Sequence, residues 1–216
     1  MHRLLKLPLL LLTLILASLL LASPLAAAQN KGILSLQVEN DAFIGLDRHY
    51  TSGLLLSYLP LSPLPNWAAK ASRALGLANP EESLSLEYAL GNTIFTPKDF
   101  ESTQPLPEQR PWAGYTFASI SVIHLPVAGE NKMKTGDKFQ LTVGQVGKAS
   151  GSEWAQTKLH EIIGSPEPGG WDYQLKNELT LNLQYFKKWL IYQQLGNQLQ
   201  LEWSPLFSLA VGTPYT

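Results

Sequence analysis

Cysteine is absent from all 216 residues. For an exported chain, that excludes a small secreted scaffold held together by disulfides. Histidine is scarce as well, with four in the sequence, and none is spaced as zinc ligands are, so a closed zinc site is not expected. Positive charge is short: once an N-terminal leader of 28 residues is set aside, Arg3 and Lys6 go with it, leaving 14 Lys and Arg against 17 Asp and Glu. No basic field for nucleic acid remains. Beyond residue 30 every stretch of about twenty residues is interrupted by charge, proline or glycine, so no later segment could cross a bilayer as a helix. If the mature protein is embedded in a membrane, it must be a β-barrel.

The leader itself is well marked. Met1-His2-Arg3-Leu4-Leu5-Lys6 forms a basic start, Leu7 to Asn30 carries no charge, and Ala26-Ala27-Ala28 closes the apolar part. That is the order of a signal peptide, with cleavage expected between Ala28 and Gln29. The competing reading, a single transmembrane anchor, is disfavoured by Pro24 and the alanine triplet. Residues 29–216 are expected to form one domain.

Along that domain period-two segments recur between turn residues, and they read as strands over 32–39, 50–58, 83–92, 114–124, 138–144, 178–186 and 198–203, with another starting over 206–213. The fold class is therefore all-β and antiparallel. In one segment Leu84, Leu86, Tyr88 and Leu90 alternate with Ser83, Ser85, Glu87 and Ala89; in another Leu179, Leu181, Leu183 and Tyr185 alternate with Glu178, Thr180, Asn182 and Gln184. A soluble sandwich would turn the apolar set inward, whereas an outer-membrane barrel would turn it to lipid. Aromatic placement favours the barrel, because Trp67, Tyr88, Phe95, Trp112, Tyr115, Tyr185, Trp189 and Trp203 cluster at or near strand ends, as interfacial girdles require.

Two stretches have helical spacing instead. Residues 65–77 place Trp67, Ala71, Ala74 and Leu75 along one side of a short connecting helix. Residues 153–163 give a second helix, with Ser152 as its expected N-cap and Gly164 as its stop. On that helix Gln156 and His160, at i and i+4, share a face.

Polar residues that a strand or turn would not otherwise select concentrate in three places. Glu39-Asn40-Asp41 closes the first strand, and Asp47-Arg48-His49-Tyr50-Thr51 opens the second. His160 sits on the helix, and Glu167 in the loop leading to Gly169-Gly170-Trp171-Asp172. Asn40, Asp41 and Glu167, with loop carbonyls, are hard oxygen donors of the kind Ca²⁺ prefers. Taken alone, Asn and Asp at a strand end are turn formers far more often than ligands, and His160 reads more readily as a packing residue.

The ordered set of segments ENDAF, DRHYTSG, LHEIIG and PEPGGWDYQLKNE, spanning Glu39 to Glu178, resembles the LpxR-type outer-membrane lipid A 3'-O-deacylases. The resemblance implies a twelve-stranded antiparallel barrel, with about seven or eight of those strands present here, and an active site near the outer leaflet between the wall and a short loop helix. It implies a carboxylic ester hydrolase that removes the 3'-acyloxyacyl group of lipid A with calcium. Matched residue by residue, the family's site falls on Asn40, Asp41, Thr51, His160 and Glu167, with Lys98 for its lysine. Asn40, Asp41 and Glu167 are the implied metal ligands. The implied partners are lipopolysaccharide and the Gram-negative outer membrane, reached by Sec-type export, and the implied state is a monomer. With the sequence ending at Val211-Gly212-Thr213-Pro214-Tyr215-Thr216, residues 29–216 are expected to be an incomplete barrel. Two other readings stand beside this one: an inactive or truncated barrel of structural or binding role, and a serine esterase pairing His160 with Ser150, Ser152 or Ser165, none of which sits in a nucleophile motif.

Overall fold

The computed structural model describes residues 31–40, 52–76, 84–124, 133–195 and 199–213. The leader (1–28), Asp41 and Thr51 lie outside the described residues. Eight strands form one antiparallel sheet: β1 (Gly32–Asn40), β2 (Ser52–Pro60), β3 (Leu84–Phe95), β4 (Ala113–His124), β5 (Met133–Val146), β6 (Glu178–Leu195), β7 (Leu199–Trp203) and β8 (Leu206–Gly212). Each of the first seven pairs with the next in chain order, and β8 pairs with β6. Among the described residues β1 pairs only with β2, and β7 and β8 only with β6. No described helix is long and apolar enough to cross a membrane.

Register assigns every strand residue to one of two faces. Leu90 stands opposite Ala118, Ile120 opposite Leu141, and Leu141 opposite Leu183, so the leucine-rich sets of adjacent strands merge into one field. On the other face Glu87 meets Ser121, Ser121 meets Gln140, and Gln140 meets Gln184. The apolar field is the open one. Leu181 is 56% and Leu183 50% exposed, whereas Thr180 is 0% and Ser121 1% exposed. On the enclosed face Lys138 Nζ donates to Glu87 at 2.6 Å, and Gln140 donates to Thr142 at 3.1 Å. In water each such leucine forgoes about 1.5–3 kcal/mol of burial, repeated across strand after strand, so this inside-out arrangement belongs to a wall that faces lipid and encloses a polar lumen.

β6 continues nine residues beyond the expected end at Phe186, reaching Leu195. The Lys187-Lys188 pair looks like a strand terminator in sequence, but Lys187 faces outward and donates to Asp137 on β5 at 3.3 Å, which lets the strand run on through Trp189 and Ile191. β5 likewise starts earlier than expected, at Met133. β7 and β8 are two halves of a single stave: Ile191 pairs with Trp203 and Lys188 with Leu206, with the same register on both sides of Ser204-Pro205. Trp189 N–H still donates to Pro205 O at 3.0 Å. Only the return bond is missing, because proline has no N–H.

The two expected helices are present. α1 (Asn66–Ala74) lies between β2 and β3. α2 (Ser152–Ile163) lies between β5 and β6, at the opposite end of the sheet. Gly151, at φ 74°, occupies the N-cap of α2; the expected cap, Ser152, is the first helical residue, because its hydroxyl is engaged by the wall.

Candidate active site

α2 is fastened to the outward face of the wall. Asn92 and Thr116 are cross-strand partners on that face. The Asn92 Nδ2 group donates to Thr116 Oγ1 at 2.6 Å and to Ser152 Oγ at 2.7 Å. Ser150 Oγ donates to Ser152 Oγ at 3.0 Å, and Thr116 Oγ1 to the Ser150 carbonyl at 2.7 Å. Ser152 is 0% exposed. The close approach depends on Gly114, where a Cβ would run into the Ser152 side chain. These bonds fix the helix against the lipid-facing side of β3 and β4, and they engage Ser150 and Ser152 as structural groups.

The loop after α2 is then folded back by aromatic packing. Trp171 Nε1 donates to the side-chain Oε1 of Gln156 at 3.0 Å, and its ring lies 5.1 Å from that of Trp112, centroid to centroid. Both tryptophans are buried with Ile94, and Phe100 packs beside them. Gly170 permits the approach, since a Cβ there would fall inside the Trp112 indole. Gly169 N–H donates to the Phe100 carbonyl at 2.9 Å, joining the β5–β6 loop to the β3–β4 loop.

His160, half-buried on α2, stands with its ring edge-on to Phe100 at 5.8 Å. Its Nδ1 lies 2.6 Å from the Pro166 carbonyl oxygen. A carbonyl can only accept, so Nδ1 carries the proton, and in the neutral imidazole Nε2 holds the lone pair. Gln156 and Glu167, which share the helix face and the following loop, do not hold the ring. The side-chain Oε1 of Gln156 goes to Trp171, and the Pro166 backbone carbonyl orients the imidazole. Among the described residues no serine hydroxyl bonds to His160; Ser165 meets it only through its backbone N–H, which donates to the His160 carbonyl at 3.0 Å. The serine-esterase pairing therefore has no geometric basis here.

The remaining expected site residues are placed unevenly. Asn40 is the last residue of β1 and lies in the ladder row Asn40, Ser52, Ile94, Gly114. That position is two strands, about 10 Å, from Ile94 beneath the tryptophan pair. Glu167 and Lys98 are exposed, and neither forms an ion pair among the described residues. No three His, Cys, Asp or Glu side chains gather among the described residues. The sequence signal missed here is the tryptophan pair with its glycines: Trp112, Gly170 and Trp171 build the floor of the site. Among the described residues Gln156 also keeps a buried Nε2 without a hydrogen-bond partner. On the lumen side of the same rim lies a separate cavity of about 680 Å³ bounded by Phe95, Arg110, Tyr115, Val146, Gln174 and Lys176. Arg110 sits 4.6 Å above the Phe95 ring there, on the other side of the wall from His160.

Comparison with known proteins adds three findings. The family described as outer membrane protein LpxR matches residues 10–216. Among solved structures, LpxR from Salmonella typhimurium superimposes with a TM-score of 0.62 at 16% sequence identity, covering 85% of this chain and 59% of that one. The chain thus spans under two thirds of that protein, and the likeness is one of fold. No curated protein matches the chain.

Proposed function

Because the chain belongs to the outer membrane protein LpxR family, we propose that it is a lipid A 3'-O-deacylase, a carboxylic ester hydrolase acting on lipopolysaccharide in the outer leaflet of the Gram-negative outer membrane. The observation that supports this most directly is the His160–Pro166 contact on a helix fastened to the lipid-facing rim. An acyl chain lying along the wall reaches such a site without leaving lipid, and Nε2 is the nitrogen left available for chemistry.

In this reading Nε2 of His160 takes a proton from water as the water oxygen attacks the 3'-ester carbonyl. The tetrahedral intermediate collapses with cleavage of the bond between the acyl carbon and the sugar oxygen. The imidazolium returns its proton to the departing 3'-oxygen, giving a free hydroxyl and a fatty acid. Asn40, Asp41 and Glu167 would hold a Ca²⁺ ion, whose charge stabilises the oxyanion. Thr51 positions substrate or water, and Lys98 brings a positive charge to the same rim for an anionic lipid. Residues 1–28 serve as a cleaved export leader, and the protein works as a monomer. Mass spectrometry of lipid A from cells expressing the protein tests the proposal: loss of the 3'-acyloxyacyl mass that is suppressed by calcium chelation is expected. An unchanged 3'-acyl pattern would leave a barrel with a structural or binding role.

A further inference from the structure

α2 has two engaged sides and two open ones. Ser152 is bonded to the wall and Gln156 to Trp171, while His160 faces the loops, edge-on to Phe100 and bonded to the Pro166 carbonyl. Ala155, Leu159 and Ile162, at i, i+4 and i+7, follow one another as a single apolar stripe. Ile162 lies about 160° around the helix axis from His160, so the stripe turns away from the loops. It is open: Leu159 is 40% and Ile162 81% exposed. The remaining side is polar but neutral. Lys158 Nζ donates to both carboxylate oxygens of Glu161, at 2.8 and 2.6 Å, and the exposed Trp154 shares that side.

Next to the stripe is the lipid face of the wall. The anchor of the helix, Asn92 with Thr116, belongs to the ladder row Val38, Leu54, Asn92, Thr116, and the next row on the same face is Leu36, Leu56, Leu90, Ala118. Val38, Leu54, Leu36, Leu56 and Leu90 are all exposed. The loops that hold His160 lie past the strand ends, so a stripe turned away from them is turned down the wall, toward these leucines. Two apolar surfaces thus meet in a corner, one formed by the wall and one by the helix. The polar groups nearest to it, Asn92 and Thr116, are consumed by the helix anchor. A corner without a free hydrogen-bonding group, continuous with a lipid-facing surface, suits hydrocarbon.

We infer that α2 is an interfacial helix whose Ala155, Leu159 and Ile162 stripe enters the acyl layer of the outer leaflet, so that acyl chains are held in the corner between the helix and Leu54, Leu56 and Leu90. With Lys158 and Glu161 paired, this helix carries no preference for headgroup charge. The inference rests on the lipid-facing wall, takes from the proposed function only the orientation with the His160 end outward, and does not depend on deacylation.

The chain has no cysteine, so labels can be placed one at a time. Leu159→Cys and Ile162→Cys in the full chain, each carrying a small fluorophore, are folded into phosphatidylcholine vesicles. Lys158→Cys reports the polar side of the helix, and Leu183→Cys the wall. Quenching by lipids bearing nitroxide at known depths locates each label, and iodide reports contact with water. Labels at 159 and 162 are expected about 5–10 Å below the boundary between headgroups and acyl chains and shielded from iodide. The label at 158 should lie above that boundary and be open to iodide. Iodide quenching at 159 and 162, with 183 quenched from lipid, overturns the inference alone. Shielding of 159 and 162 from both quenchers overturns it as well, because the stripe is then covered by protein. Iodide quenching at 183 overturns the lipid-facing wall and the inference with it. An unchanged 3'-acyl pattern on lipid A with the labels at the expected depths supports the inference and counts against the proposed enzyme alone.

Discussion

The His160 Nδ1–H group donates to the Pro166 carbonyl oxygen at 2.6 Å, six residues further along the chain, so the loop that follows α2 decides which imidazole nitrogen is basic. Replacing His160 with Asn keeps an N–H donor close to the Nδ1 position while removing Nε2. The expected result is normal assembly and a loss of deacylation on the order of 10²-fold or more. His160→Ala should lose the same activity and also loosen the loop, seen as faster amide exchange over 164–170. Near wild-type deacylation by the Asn variant would show that His160 is only a packing residue.

The second contact at the site is Trp171 Nε1 to Gln156 Oε1 at 3.0 Å. Trp171→Phe removes the one partner, among the described residues, of a side chain that is 2% exposed and whose Nε2 has none among them. Stability of the α2 region should fall by about 1–3 kcal/mol, measured by denaturant titration in vesicles. Adding Gln156→Leu should recover much of that loss, because both polar groups are then gone. A double variant no better than the single one would contradict this account.

Gly170→Ala places a methyl group inside the Trp112 indole. Overpacking of about 1–3 kcal/mol is expected, with reduced deacylation and an unchanged wall. Trp112→Leu in the same chain should relieve the clash. The near-ultraviolet circular dichroism of the tryptophan pair is the check, and a spectrum unaltered by Gly170→Ala would count against the packing described.

The two wall faces give a fourth prediction. Leu183→Arg puts a charge on the lipid side and should cost about 2–4 kcal/mol near mid-membrane, read as loss of heat-dependent gel migration or of vesicle insertion. Gln184→Arg, the next residue, faces the lumen and should insert nearly normally. Equal effects from the two substitutions would mean that the assignment of faces is wrong.

Much of the wall could be read from the sequence. Alternation at Leu84 to Leu90 and Leu179 to Tyr185 is local, and local pattern suffices to name strands and pair their faces. The choice between sandwich and barrel needed exposure, since Leu181 and Thr180 would exchange environments between the two. The course of β6 past Lys187 was hidden because its cause, Asp137, lies on another strand. The site divides in the same way. His160 and Glu167 stand out by residue type, and α2 by its spacing and its closing glycine. The Ser152–Asn92 bond spans 60 positions, and the Trp112–Trp171 pair likewise joins distant segments. Neither is visible until the chain is folded. Asp41 and Thr51 rest on motif alone, being outside the described residues.

Pro205 interrupts an otherwise continuous stave, and this has a kinetic meaning. β6 and β7 follow one another directly, with three residues between Leu195 and Leu199, so their contacts from Leu195 with Leu199 onward to Ile191 with Trp203 cost little chain entropy to close. Zippering then reaches Trp189 and Pro205, where one bond of the reciprocal pair cannot form. The stave is accordingly joined at Pro205 by one ladder bond, between the β7 half and the β8 half.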